Sequence, residues 1–144
     1  DLRAIVTVMK ASSDLERMGD HAVSIARSVI RVKERHNKRI PEVEAKIAEM
    51  AEVVKKMVEQ VIDAYVHVDE SEARQIAGMD SKVDKYFVEI NHYCIKQMAI
   101  DSELVPGGSD YIAVAGYLER IGDYVTNICE RIVYLKTGEI LELN

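Results

Sequence analysis

From Leu2 to Arg35 apolar residues recur at the spacing of one helix face: Leu2, Ile5, Val8, Met9, Leu15, Ala22, Ile25, Val29 and Ile30. This pattern predicts a first helix over residues 2–35. Asn37 marks its end, and Pro41 falls near the first position of the next helix, where its missing N–H costs nothing. A second helix is predicted over 41–68, with Ile47, Met50, Ala51, Val54, Val58, Val61, Ile62 and Tyr65 on one broad face. The stretch "VDESEA" breaks it, and Asp69 with Glu72 forms a capping box for a third helix over about 70–101. "PGGSD" at 106–110 reads as a breaker, after which Ser109 or Asp110 caps a fourth helix running to about Lys136, with Gly138 as its stop. No β-type alternation of useful length occurs. The predicted fold class is all-α, an antiparallel helical bundle with short connections.

Composition adds constraints rather than a new picture. The 144 residues are 48% hydrophobic and 31% charged, which suits one globular core. No apolar run reaches the length of a membrane span. Cys94 and Cys129 fall inside helical patterns and read as reduced core residues of a cytosolic protein, with a buried bridge as the alternative. The net charge is −6, but residues 1–40 carry nine Lys/Arg against five Asp/Glu. The acidic remainder argues against nucleic-acid binding. The basic stretch "RSVIRVKERHNKR" at 27–39 suits either an acidic partner or the negative pole of its own helix.

One frame occurs twice. "LERMGD" at 15–20 returns as "LERIGD" at 118–123, so Glu119 lies 103 residues after Glu16. Each copy sets two acids one turn apart, Glu16 with Asp20 and Glu119 with Asp123, an arrangement that costs an isolated helix a few tenths of a kcal/mol. The period matches the combined length of the second, third and fourth helices, so the repeat unit is three helices with the motif on the last. Residues 1–36 are then the last helix of a first unit and 41–138 a complete second unit. The expectation is that roughly seventy residues of the first unit precede the chain in a longer protein.

On a helical wheel both pairs fall at the margin of the apolar arc and not on the polar face, where Ser13, Arg17, Ser24 and Arg31 lie. A third pair, Asp80 and Asp84 in "MDSKVDKYF", flanks the stripe of Ile76, Met79, Val83, Phe87, Ile90 and Cys94. If the third and fourth helices are antiparallel neighbours, Asp80, Asp84, Glu119 and Asp123 converge at their seam. Semi-buried carboxylates repel unless a positive charge lies among them. Hard oxygen donors without His or Cys suit Mg, Ca, Mn, or iron in carboxylate clusters. The alternative is neutralisation by Arg17, Arg120, Arg131 and lysines as surface ion pairs. Gly19 and Gly122 precede the second acid of each pair, and mid-helix glycine implies a close neighbour or space beside a ligand. Glu89-x-x-His92 is half of a ferritin-like di-iron motif, but it is single and points away from the stripe. His21, His36 and His67 fall on polar faces or ends. No phosphate-binding glycine loop or catalytic nucleophile is evident.

The motifs "DLERMGD", "YLERIGD" followed by "TNICERIVY", and "MDSKVDKYF" resemble the PhoU family of phosphate-uptake regulators, and the resemblance covers the whole chain. It implies a six-helix, cytoplasmic, non-enzymatic protein, peripheral to the membrane at most. It implies metal at Glu16 and Asp20, at Asp80 and Asp84, and at Glu119 and Asp123. In some members the metal is a multinuclear iron cluster, and in others it is Mn, Mg, Zn or none. The implied partners are the ATPase subunit of the phosphate ABC transporter and a phosphate-sensing histidine kinase, with repression of the phosphate-starvation response as the outcome. The apolar stripe of the first helix, short of its neighbours, adds the expectation of a homodimer or larger assembly. The alternative to this reading is a structural helical interaction module whose acid pairs hold partner Arg or Lys and no metal.

Overall fold

The structure, a computed structural model, describes residues 1–143. Five α-helices follow one another: α1 (Leu2–Glu34), α2 (Pro41–His67), α3 (Glu70–Gly78), α4 (Asp80–Ile100) and α5 (Val105–Thr137). A 3-10 turn over Ser102–Leu104 joins α4 to α5. The all-α bundle expected from the pattern is what forms. Cys94 and Cys129 are both free and buried, and burial pushes their thiols up to about 11 and about 12.

α5 is the centre. It touches each of the other helices, α1 most extensively, and buries fifteen of its residues. Val125, Ile128 and Ile132 meet Met50, Met57 and Val61 of α2, Ile76 of α3, and Val83 and Ile90 of α4 in one core. α2 runs parallel to α5: the Tyr111 hydroxyl accepts the Ile40 N–H near the start of both (3.1 Å). This hydroxyl also donates to Glu44 at 2.6 Å. Desolvation, reinforced by Glu44, pushes the phenol up to about 12. The Arg39 guanidinium on Glu44 holds that carboxyl below its ordinary range. α4 runs antiparallel, so Asp80 lies beside Gly122 and Met98 beside Gly108.

Three helix boundaries differ from the sequence expectation. The predicted third helix is two, because the chain tightens at Met79, whose N–H reaches the Ile76 carbonyl at 2.9 Å. The predicted breaker "PGGSD" lies inside α5, which starts at Val105 with Pro106 in its first turn. Neither Ser109 nor Asp110 caps it. Instead Asp101 caps the 3-10 turn by accepting the Glu103 N–H (3.0 Å). The glycines serve close packing: a Cβ on Gly107 would lie 2.6 Å from the Lys38 carbonyl oxygen, and one on Gly108 2.5 Å from Met98 Sδ.

The largest difference is the face by which α1 docks. The predicted arc is largely exposed, with Leu2, Ile5, Val8, Met9, Leu15, Val29 and Ile30 all open to solvent. The buried face is a narrow stripe of Thr7, Ala11, Asp14, Met18 and Ser28. Small residues let α1 and α5 approach closely, and charge fixes their register. Arg131 donates to Asp14 at 3.1 Å, and Arg31, expected on the polar face, donates to Asp110 at 3.1 Å. These two pairs lie toward opposite ends of an antiparallel seam. Between them His21, expected to be solvated, stacks on Tyr117 and Tyr124 with ring centroids at 5.8 and 5.7 Å.

Removing Arg131 leaves the Asp14 carboxylate, 4% exposed, without its cation. Arg131→Met should destabilise the protein by about 2 kcal/mol, below the 3–5 of a fully buried pair because Arg131 still reaches water. Denaturant unfolding gives the magnitude, and amide exchange should rise first in α1.

Candidate carboxylate site at the α4–α5 seam

Asp80 occupies the first turn of α4 and Asp84 the next, while Glu119 and Asp123 sit one turn apart on α5. The antiparallel packing of α4 on α5 brings these turns together. Asp80, Asp84 and Asp123 each offer a carboxylate oxygen, all within 4.8 Å of one another. Asp80 is 2% exposed, whereas Asp84 and Asp123 reach solvent. Glu119 lies outside this group of three but near enough to Asp123 to raise its pKa. Burial of the carboxyl, then the Glu119 contact, then the charge of Asp84 push Asp123 up to about 6. The positive N-terminal pole of α4 favours a negative charge at Asp80.

Gly122 makes the site possible. A Cβ there would come within 2.9 Å of Asp80 Oδ1 and 3.5 Å of a Val83 methyl. The donor set of three, or with Glu119 four, carboxylates fits a hard cation. Arginine neutralisation is not realised: among the described residues no Lys, Arg or His pairs with Asp84, Glu119 or Asp123. Arg131 is committed to Asp14, and Arg120 lies over the Tyr117 ring at 5.9 Å.

The first copy of the motif is placed differently. Glu16 and Asp20 stand on the exposed side of α1, and no other acid among the described residues joins them in a potential metal group. Of the two arrangements expected of these glycines, Gly122 has the close neighbour, whereas Gly19 has open space, with nothing among the described residues within 4 Å of where a Cβ would be. Glu89 pairs with Lys46 at 3.1 Å and His92 is exposed, so no di-iron half-site forms. Sequence reasoning missed Asp14, whose partner only the fold supplies. The signal was present in its spacing from Thr7, Ala11 and Met18.

With this geometry in view, the comparisons with known proteins define a class. The PhoU domain family model matches residues 1–29 and 47–132. The chain belongs to the PhoU family. The phosphate-specific transport system accessory protein PhoU homolog of Streptococcus pneumoniae is 38% identical over 144 residues, covering 100% of this chain and 65% of the relative. The homolog of the same name from Clostridium acetobutylicum is 39% identical over 145 residues, covering 100% and 64%. The crystal structure of the phosphate transport system regulatory protein PhoU from S. pneumoniae superposes with a TM-score of 0.87 at 36% identity, covering 98% of this chain and 65% of that one. PhoU from Pseudomonas aeruginosa superposes at 0.90 with 32% identity, covering 96% and 66%. The chain thus spans about two thirds of the length of the relatives it matches. No helix among the described residues is long and apolar enough to cross a membrane.

Two tests follow from the contrast between the copies. Gly19→Ala should stabilise the protein by up to about 1 kcal/mol through helix propensity alone. Gly122→Ala should destabilise it, because the added Cβ would press on the buried Asp80 carboxylate at 2.9 Å, and thermal melts of both variants give the signs. The raised Asp123 pKa carries its own pH dependence. The folded state holds this proton to higher pH than the unfolded chain, so the group's contribution is largest below pH 4 and declines as pH rises through about 4 to 6. Without metal, Asp123→Asn should therefore be more stable than wild type at pH 7, by of order 1 kcal/mol after solvent screening. That gap should close by pH 4 in parallel denaturant titrations.

Proposed function

We propose that the chain is part of a non-enzymatic, cytoplasmic regulator that restrains phosphate uptake and the phosphate-starvation response. Its partners in this reading are the ATPase subunit of the phosphate ABC transporter and a phosphate-sensing histidine kinase. The supporting observation is resemblance along the entire chain to proteins named as phosphate-specific transport accessory proteins, in sequence and in fold. The basic end of α1, with Arg27 and Arg35 exposed, offers a surface for an acidic partner. The exposed apolar side of α1 supports association into a homodimer.

Metal belongs to the same proposal. Asp80, Asp84 and Asp123, with Glu119 beside them, would hold one or more cations, iron, Mn, Mg or Zn among them. A bound cation supplies positive charge that offsets carboxylate repulsion and ties α4 to α5. Glu16 and Asp20 remain part of the proposal as a second pair whose partner acids are not among the described residues. A structural module without metal is the second reading. Among the described residues no cationic side chain pairs with Asp84, Glu119 or Asp123, which favours the first.

Protein purified without chelator should carry stoichiometric metal by elemental analysis, and Glu119→Gln with Asp123→Asn together should abolish it. No more than trace metal in the wild type would favour the second reading. Deleting the gene should leave phosphate-starvation genes on in rich phosphate, with no metabolic reaction lost. Normal shut-off in that strain would mean the chain regulates something else.

A further inference from the structure

α4 carries two apolar stripes, and the bundle uses one of them. Val83, Ile90 and Cys94 are buried in the common core. Opposite its buried stripe a surface helix is normally polar. Here Val88, His92, Ile95 and Ala99 are exposed, with Val88 at 61% and Ile95 at 53%. Their 4-3-4 spacing sets them along one seam of about 16 Å, the pattern by which one helix packs on another. Among the described residues α4 touches α2, α3, the 3-10 turn and α5 but not α1, so this seam is not part of the apolar side that α1 leaves open. Its two edges differ in charge. Asp84 borders it on the side of α5, its carboxylate within 4.8 Å of that of Asp123. Lys85 and Lys96, eleven residues apart and so on one line, border the other edge and are exposed. None of Asp84, Lys85 and Lys96 makes an ion pair among the described residues.

We propose that this seam docks an amphipathic helix of a partner protein, whose apolar stripe is flanked by acidic residues on one edge and basic residues on the other. The partner's stripe covers Val88, Ile95 and Ala99 and supplies the burial. Its acidic edge meets Lys85 and Lys96, and its basic edge meets Asp84 and Asp123, which sets the orientation. An anionic lipid surface matches the lysine edge but is repelled by the two aspartates on the other, whereas a helix with edges of opposite sign meets both. A contact of this length belongs to the small, reversible class of interfaces. It rests on neither a bound cation nor the partners named above.

The test uses a short stapled helix with leucine at i, i+4, i+7 and i+11, glutamate along one edge and lysine along the other. Two controls keep the leucines and carry only glutamate or only lysine on both edges. Each is titrated in EDTA by calorimetry and followed by methyl NMR. The mixed helix should bind one to one and shift the methyls of Val88, Ile95 and Ala99, and both controls should bind about tenfold more weakly. Ile95→Gln should weaken the mixed helix by about tenfold with unchanged helix content. Lys85→Glu with Lys96→Glu, both at exposed positions, should turn the preference to the all-lysine helix. The proposal is overturned if the all-lysine helix binds the wild type as tightly as the mixed one, if Ile95→Gln has no effect, or if the shifts centre on Leu2, Ile5 and Val29 of α1. Concentration-dependent shifts of the same methyls without peptide would make the occupant a second copy and overturn it too. So would binding to phosphatidylglycerol vesicles that the lysine variant loses, with none to the mixed helix.

Discussion

Everything in this bundle is set by α5, which packs against every other helix. A helix buried on that many sides has to be apolar almost all round, and fifteen of its residues are buried. An acid buried on such a helix is costly unless a neighbour compensates it. Asp110 meets Arg31 from α1. Glu119 and Asp123 meet Asp80 and Asp84 from α4, which bring more negative charge instead of less. One crossing is thus an ordinary ion pair, and the other is a concentration of carboxylates that the fold accepts against its own electrostatics. Packing explains why α5 is apolar. It does not explain why the acids cluster, and that excess is what a chemical role has to account for.

The same packing explains which parts of the fold were legible in the sequence. Helix existence and order followed from apolar spacing, because α2, α4 and α5 bury large side chains such as Met57, Ile90 and Ile132 at that spacing. α1 misled because it has two candidate faces. The one rich in large residues is exposed, and the one that docks is made of Thr7, Ala11, Asp14, Met18 and Ser28. Bulk signals a face that buries surface, whereas close helix approach wants small residues and takes its specificity from paired charge. "PGGSD" misled for a related reason: glycine weakens a helix locally, but here it admits the Lys38 carbonyl and the Met98 thioether. Local propensity lost to tertiary contact in both cases.

The carboxylate site was legible in its residues but not in its weighting. Asp80, Asp84 and Asp123 converge as their spacing on antiparallel helices required. No spacing rule could say that Asp80 would be 2% exposed while Asp123 reaches solvent, since this depends on how deeply the start of α4 sits against Gly122. Nor could it say that Arg131 would serve Asp14 and leave the motif acids alone.

The duplicated motif shows where sequence inference stops. His21 and Tyr124 are 103 residues apart, the period of the repeat, and they stack on each other across the seam. Equivalent residues meet, so α1 and α5 are related there by an approximate two-fold. Under such a relation the two LERxGD frames should be interchangeable. Among the described residues their surroundings differ: Gly122 is crowded by Asp80 and Val83, and Gly19 has nothing within 4 Å of where a Cβ would be. Asp123 shares its site with Asp80 and Asp84, and Asp20 has no acidic partner among the described residues. The two frames agree at Leu, Glu, Arg, Gly and Asp and differ only in Met18 for Ile121, so the difference lies in what packs against them. The motif supplies two acids and a gap beside them. A second helix carrying its own acids turns that gap into a cluster of carboxylates.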